Sequence, residues 1–380
     1  MHGHHHFLHF LRSRELDELY ISMALRSFAL SMISIFIPIY LLKMGYQLTH
    51  VFTFYLIVTM THIILAFPSA KISAKIGFKH SIFLSVPFLI TFYFLMYTLD
   101  TLKWPLFLPA TIFGIYSALF WVAYHMDFSK FSKSRERGKQ VGVVFSLIFT
   151  FNALGPFVGG VIITTLGFHL LFIFASTLLL LSAVPLFFSQ DFHEPFHFSF
   201  KKIFSLKRIK RNQKIRDGLS FFGFGAENVT FYVVWPIFIF FHILNNSYTT
   251  LGFIISLSIF FSTIFSFVIG FFSDINRRII LKIGSAATSV IWIIKSLVKT
   301  SYQVLFVDSL YGISRITMSI PFEAMSYDKA NRTEVLKYIV FREITINFGR
   351  VFLLVLMISF SNFITGFLLA SGLSLFLWFF

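Results

Sequence analysis

Long apolar stretches follow one another along almost the whole chain, separated by short polar segments that carry most of the charged residues. Many of these stretches reach the length that a helix needs to cross the hydrocarbon core of a bilayer, about 20 residues. Barrel strands would be about ten residues long and would alternate in polarity. We therefore predict twelve membrane-spanning helices, numbered as spans 1 to 12: 19–43, 48–68, 80–98, 105–126, 141–164, 167–188, 218–243, 248–271, 279–298, 302–324, 338–359 and 361–380.

The two halves of this pattern match each other at a separation of 198 residues. Pro38 and Pro236 occupy the same place in spans 1 and 7, and Gly114 and Gly312 occupy the same place in spans 4 and 10. The fold class predicted is therefore an all-α polytopic membrane protein of two pseudo-symmetric six-helix bundles. Internally repeated proteins of this kind are commonly transporters, with a binding site between the halves.

The placement of the basic residues predicts the orientation. Counting Lys and Arg, the N-terminal segment and the loops after even-numbered spans hold 24, with Lys282 at the start of span 9 included, and the other loops hold 3, with Lys43 at the end of span 1 included. This asymmetry places the N-terminus and the central linker in the cytoplasm, and the protein in the cytoplasmic (inner) membrane. The predicted division is a His-rich tail at 1–18, a first bundle at 19–190, a basic linker at 191–217 and a second bundle at 218–380.

Composition narrows the function classes. Hydrophobic residues make up 57% of the 380 residues and charged residues 13%, with a mean hydropathy of +0.80 and no cysteine. The net charge of +16 lies in the topology-setting loops, so it does not indicate a nucleic-acid partner. No nucleophile, phosphate or metal motif has ligand spacing, and we predict neither enzyme activity nor a cofactor. The His-rich tail is treated as a tail rather than a metal site.

Two loops resemble the signature G-x-x-x-D-R-x-G-R-[RK] of the major facilitator superfamily. The loop after span 2, Ala70 to Lys79, keeps the second Gly and some basic residues but lacks the Asp. The loop after span 8, Gly270 to Arg278, keeps the Gly, the Asp and an Arg. In this motif the Asp faces a helix N-terminus or an Arg across a gate, and Arg332 or Arg342 would be that partner. The candidate gating residues are Lys75, Gly77, Gly270, Asp274, Arg277 and Arg278.

Span 5 resembles the antiporter motif of exporters in the same superfamily, G-x8-G-x3-G-P-x2-G-G. The matching residues are Gly142, Gly155, Pro156, Gly159 and Gly160. Phe151 replaces the second Gly, and the Arg that proton-coupled drug exporters carry in span 4 is Ala110 here. An alternative interpretation is a Gly-lined helix contact, since small residues let helices approach closely. The resemblance covers the whole chain. It implies that the chain has the superfamily fold and acts as a transporter.

Charged residues inside the spans are the candidate chemistry, because a charge at mid-bilayer is costly without a partner or a polar cavity. In the superfamily, spans 1, 4, 7 and 10 line the central cavity. Glu227 is our first candidate for carrying a proton and Asp308 the second, since burial raises the proton affinity of a carboxyl. Gly223 and Gly225 suggest a helix break beside Glu227. The predicted substrate-binding residues are Arg26, Glu227, Asn228, Trp235, Tyr311, Arg315 and Arg350.

Helical spacing suggests how these charges could neutralise one another. Asp308 and Arg315 are seven residues apart, which places them two turns apart on one stripe of span 10, and Glu343 and Arg350 share a stripe of span 11 in the same way. Intrahelical or interhelical pairing is therefore an alternative to a role in the cavity.

The function predicted is proton-coupled secondary transport of a small organic solute by alternating access, more in keeping with an exporter than an importer. The partners predicted are the solute, protons and membrane lipid, and the protein is predicted to be a monomer. Arg26, Arg315 and Arg350 outnumber Glu227 and Asp308 by one charge, which mildly favours an anionic or zwitterionic solute. The alternative is a non-transporting member of the same fold: a sensor, a scaffold or a lipid-handling protein.

Overall fold

A computed structural model of the chain describes residues 14–131, 137–187, 199–200, 203, 206 and 209–380. Within these ranges it leaves out the side chains of 14–20, 131, 137–140, 142–147, 149, 186–187, 267, 270–271 and 273–275. The N-terminal His run and most of the basic linker lie outside the described residues. For Gly142, Gly270 and Asp274 only the helical backbone is described.

Helices account for nearly all of the described chain. Span 1 comprises Arg14–Ser31 and Ile37–Lys43, and spans 2, 3 and 4 are Leu48–Ile76, Phe78–Tyr97 and Phe107–Phe131. Spans 5 and 6 form one helical stretch, Arg137–Ala183, interrupted at Gly167 (φ 83°, ψ 172°). Span 7 comprises Arg211–Val229, a π-helical turn at Thr230–Val234 and Trp235–His242. Spans 8 to 12 are Tyr248–Ile275, Arg277–Lys295, Ser301–Asn331, Val335–Phe360 and Phe363–Ser374, the last extended by a 3-10 turn at Leu375–Phe379.

Seven helical stretches of the described residues are long and apolar enough to cross a membrane. They lie in spans 2, 3, 4, 7, 8 and 11 and in the stretch Thr150–Ala183, which holds two spans joined at Gly167. Shorter apolar helices at Ile21–Ser31 and Phe363–Phe379 belong to spans 1 and 12. Spans 9 and 10 fall outside this set because they carry several charged side chains, among them Lys295, Asp308 and Arg315.

Several observed helices run past the predicted spans: span 2 continues to Ile76 rather than 68, and span 10 continues to Asn331 rather than 324. Span 7 begins at Arg211 rather than near 218, because the polar residues before the apolar run form its first two turns. A tight turn joins spans 11 and 12. Ser361 has a φ of 49°, and the side chain of Asn362 accepts a hydrogen bond from the backbone N–H of Ile364.

The structure repeats the internal register of the sequence. The non-helical turn of span 1 precedes Pro38 and the π-helical turn of span 7 precedes Pro236, and each proline lies in the first turn of the helix that follows. Proline is accepted there because the first N–H groups of a helix lack intrahelical acceptors. Gly114 touches span 2 at Thr61, and Gly312 touches span 8 at Ser262, so spans 2 and 4 pack as spans 8 and 10 do.

The halves meet along two helix pairs, spans 5 with 8 and spans 2 with 11. We call the end that holds Gly77 and Arg332 the linker end, and the opposite end, with the turns at Gly45 and Asn246, the far end. At the far end, Lys43 Nζ lies 5.7 Å from the ring centroid of Phe240. At the linker end, the side-chain amide of Asn331 donates to the backbone oxygen of Ser129 over 2.9 Å. The described residues therefore join the halves at both ends.

Candidate functional site

Span 7 positions the central acid through close contact with its neighbours. Gly225 lies against the carbonyl oxygen of Ile346 in span 11, and Gly223 against that of Leu373 in span 12, so neither position has room for a Cβ. These glycines serve close packing, and the helix runs unbroken past Glu227 to Val229. The predicted break is therefore displaced by one turn, to the π-helical segment that begins at Thr230.

Glu227 is fully buried and receives three polar contacts from other spans. Its Oε1 accepts hydrogen bonds from the hydroxyl of Tyr311 and from Trp292 Nε1, the latter over 3.3 Å. Its Oε2 lies 3.7 Å from Arg315 Nε. Spans 7, 9 and 10 thus converge on one carboxylate, which the phenol and the indole hold in place while the guanidinium faces its other oxygen.

Arg315 connects this buried acid with a more open region. It donates to Asn228 Oδ1, and its Nη1 lies 3.4 Å from the hydroxyl of Tyr232. Its guanidinium lies 4.2 Å from the ring centroid of Phe231. The side chain of Arg315 is 15% exposed and Tyr232 is 50% exposed, whereas Glu227 is completely enclosed. A change in the charge of Glu227 would therefore act directly on a cation that has partial access to the outside of the bundle.

Asp308 forms a second ion pair beside the first. Its Oδ1 lies 2.7 Å from Lys295 Nζ, and its Oδ2 accepts a hydrogen bond from Trp235 Nε1 over 3.0 Å. Lys295 is fully buried, with its ammonium 3.7 Å from the ring centroid of Tyr311 and 4.4 Å from that of Trp235. Tyr311 thus contacts both pairs, through its hydroxyl to Glu227 and through its face to Lys295.

Lys295 is a site residue that the sequence did not reveal. It lies near the end of the predicted span 279–298, but its side chain is enclosed among aromatic rings instead of reaching the interface. The available signal was its position in the otherwise apolar run Ile291-Trp292-Ile293-Ile294. The pairing of Asp308 with Arg315 along span 10 is wrong, because each finds an oppositely charged partner on a neighbouring helix.

A third charged cluster joins the two halves. Glu343 in span 11 lies 3.5 Å from His62 Nε2 in span 2 and 3.5 Å from His125 Nε2 in span 4. Arg342 contacts both Glu343 and Glu323. All five side chains are buried. The sequence does not reveal this cluster, because only the tertiary contact of spans 2 and 4 with span 11 brings both histidines to one carboxylate.

The remaining predicted cations lie apart from the carboxylates. Arg26 is buried in the first half, where it donates to the hydroxyl of Tyr116 and stacks 3.7 Å from the ring centroid of Phe120. Arg350 is half-buried and donates from Nη1 to Asn347 Oδ1 over 3.1 Å. The structure thus brings Glu227, Asn228, Tyr311 and Arg315 together, with Trp235 one contact away through Asp308, whereas Arg26 and Arg350 contact other residues.

The predicted gating residues behave differently in the two loops. Gly77 separates spans 2 and 3, and its φ of 101° is a backbone conformation that favours glycine. Lys75 is exposed. Arg277 forms an ion pair with Asp328 at the linker end of span 10, and Arg278 is exposed. Asp274 itself cannot be placed, as its side chain lies outside the described residues.

The glycines of span 5 bring three spans into close contact. Gly155 and Gly159 lie against Ser31 and Met32, at the start of the non-helical turn in span 1, and Gly160 lies against Tyr248 in span 8. The backbone N–H of Phe157 donates to Ser256 Oγ over 2.9 Å. These residues therefore pack against the turn of span 1 and form part of the contact between the halves.

The sequence profile of the Major Facilitator Superfamily matches residues 19–224, more than half of the chain. The chain belongs to the major facilitator superfamily. It is thus a multi-pass membrane protein of a transporter family. A search of curated proteins found no match.

Solved structures of this superfamily share the fold over the full length. The human organic anion transporter MFSD10 (TETRAN) has a TM-score of 0.71 at 12% identity, over 96% of this chain and 98% of that one. A point variant of the fucose:proton symporter FucP of E. coli has a TM-score of 0.69 at 13% identity, over 97% and 98%. FucP in an outward conformation has a TM-score of 0.66 at 12% identity, over 97% and 99%. These similarities confirm the predicted architecture of two six-helix bundles.

Proposed function

We propose that this protein is a proton-coupled secondary transporter that moves a small organic solute across the cytoplasmic membrane by alternating access, in the direction of export. The observation that carries the proposal is the contact of the enclosed Glu227 carboxylate with the partly exposed Arg315 guanidinium. The Glu227 carboxylate can hold a proton away from water, and the Arg315 guanidinium can bind a solute. Both compared transporters are named for moving small solutes, and one for moving protons as well.

The coupling step follows from charge. When Glu227 is ionised, it holds Arg315 through the contact between Nε and Oε2. A proton on Glu227 removes that attraction, and Arg315 is then held by its neutral partners Asn228, Tyr232 and Phe231. A ligand or proton that favours one conformer over another shifts the population toward it. Asp308 is the second candidate for the proton, but its pairing with Lys295 already satisfies its charge.

The sign of the solute's charge decides how the proton moves relative to it. A cationic solute would compete with the proton for Glu227 and be exchanged for it, which is antiport. An anionic solute would bind Arg315 more readily when Glu227 is protonated, so the two would cross together. The resemblance of span 5 to an antiporter motif is the support for export. We further propose that the protein acts as a monomer with its N-terminus in the cytoplasm, in line with the placement of basic loops.

The test uses the whole chain, purified and screened for solutes that raise its thermal unfolding temperature, since ligands that bind the folded state stabilise it. Each hit is then offered to proteoliposomes with and without an imposed pH gradient. We expect the gradient to drive accumulation, and a protonophore to abolish it. Accumulation that ignores the gradient would contradict proton coupling, and stabilising solutes that never cross the bilayer would contradict transport. A pH-sensitive dye inside the vesicles reports whether protons move with or against the solute.

A further inference from the structure

The charged side chains of the candidate site and of the cluster around Glu343 are unequally matched. Five are cationic and four are anionic, and they lie in both halves: Arg26, Lys295, Arg315, Arg342 and Arg350 against Glu227, Asp308, Glu323 and Glu343. Every carboxylate of this set has a cationic partner within 4.0 Å, namely Arg315, Lys295 or Arg342. Among the described residues, Arg26 and Arg350 have no carboxylate at that distance.

Arg26 is the more completely enclosed of the two unmatched cations. It is 2% exposed, and its neighbours are the aromatic residues Tyr116 and Phe120. The ring faces attract the guanidinium, and the Tyr116 hydroxyl accepts one of its hydrogen bonds. Its Nε–H is buried without an acceptor in the part of the chain that the structure describes. A charged group with an unused donor at this depth has capacity for an anionic ligand.

Arg350 is the unmatched cation of the second half, and it is half-buried. Its hydrogen-bond partner is the neutral amide of Asn347. It lies close enough to Arg342 and Arg315 to be repelled by both, and it is attracted by Glu343. Glu343 is already engaged by Arg342 and two histidines, so it only partly offsets the charge of Arg350.

We propose that the transported solute is an organic anion bearing a carboxylate or phosphate group, with Arg350 and Arg26 as the cations that attract it from the two halves. This inference rests on the proposed transport function. The planar guanidinium suits both groups, because its donors match two oxygens of either at once. Protonation of Glu227 releases Arg315 as a further cation, so proton and anion favour each other's binding. Export then means that both leave together, down the concentration gradient of the solute.

The test compares anions with neutral counterparts on the purified full-length protein. Benzoate is paired with benzamide, and glycerol phosphate with glycerol, which also separates carboxylate from phosphate recognition. We expect at least one anion to raise the thermal unfolding temperature and its neutral counterpart to leave it unchanged. Equal stabilisation by both members of each pair, or stabilisation by neither, would overturn the assignment.

Variants then locate the contact. Arg350→Gln and Arg26→Gln should each weaken anion binding by at least about tenfold, the loss expected when a charge-assisted contact is removed. Arg350→Lys should weaken it less than Arg350→Gln, and the exposed control Lys71→Gln should leave it unchanged. If Arg26→Gln fails to fold, Arg350→Gln and Arg350→Lys still show whether the anion binds at Arg350. Unchanged anion affinity in the Gln variants would contradict the site. Accumulation of benzamide or glycerol in proteoliposomes under a pH gradient would refute the anionic class and leave proton-coupled transport standing.

Discussion

At the scale of single residues, the centre of the second half depends on two ion pairs that share Tyr311. Its hydroxyl bonds to Glu227 and its ring lies against Lys295. The sequence shows which charges lie deep in the spans, because they interrupt apolar runs. It does not show their partners, since those come from other helices and depend on side-chain direction. Asp308 illustrates this, because the spacing along span 10 suggested Arg315 and the structure provides Lys295.

The Lys295–Asp308 pair gives a prediction about stability. Lys295→Met leaves the Asp308 carboxylate buried and without a counter-charge, and breaking a buried pair on one side costs about 3–5 kcal/mol. We expect a markedly lower thermal unfolding temperature in detergent for Lys295→Met, partial recovery in the double variant Lys295→Met/Asp308→Leu, and little change for the exposed control Lys71→Met. A single variant as stable as the wild type would show that the pair adds nothing to folding.

At the scale of helices, the sequence predicts the elements well and their interruptions less well. Apolar runs define the spans, and the prolines mark the helix restarts in spans 1 and 7. Gly223 and Gly225 suggested a break beside Glu227, but they are needed where span 7 touches the backbones of spans 12 and 11. A glycine in a membrane helix serves either purpose, and only the neighbouring helices decide between them. The same holds for the span 5 glycines against span 1.

The cluster around Glu343 gives a prediction about opening. Because His62 and His125 belong to one half and Glu343 to the other, separating the halves at the linker end must break these contacts. Glu343→Gln removes the charge that the cluster shares, so it should favour opening. Spin labels at Lys75 and Arg332, both exposed, should then show a larger population at long distances in pulsed electron spin resonance.

A matched control for this measurement lies within one half. Asp100 is 3.1 Å from His169 at the far end, and both belong to the first half. Asp100→Asn removes a comparable carboxylate–histidine contact without separating the halves. It should therefore leave the distance distribution unchanged. A Glu343→Gln distribution identical to that of the wild type would show that the cluster does not hold the linker end closed.

At the scale of the whole molecule, the register of 198 residues is visible in both sequence and structure. It relates the turns of spans 1 and 7 and the glycine contacts of spans 4 and 10. The repeat and the apolar pattern are enough to predict the fold class, because each span can be recognised without its neighbours. The contacts between the halves were not predictable, since Glu343 and the two histidines are distant in sequence and lack a local pattern.

The orientation in the membrane is a prediction at this scale. The distribution of basic loops places the linker end in the cytoplasm. The chain has no cysteine, so single cysteines report without background. Tyr302→Cys, at an 87% exposed position of the far end, should react with a membrane-impermeant maleimide on intact cells. Arg332→Cys should react only after permeabilisation. The reverse pattern would invert the orientation and the proposed direction of export.

The central claim is that Glu227 carries the proton that is coupled to transport, and Glu227→Gln in proteoliposomes tests it most directly. The glutamine keeps the size of the side chain and can still accept from Tyr311 and Trp292, so folding and solute binding should persist. The account predicts that the variant still exchanges labelled for unlabelled solute but no longer accumulates solute under a pH gradient. The control Glu334→Gln, an exposed acid at the linker end, should retain both activities. Accumulation by Glu227→Gln at the wild-type rate, with an intact pH dependence, would contradict the account.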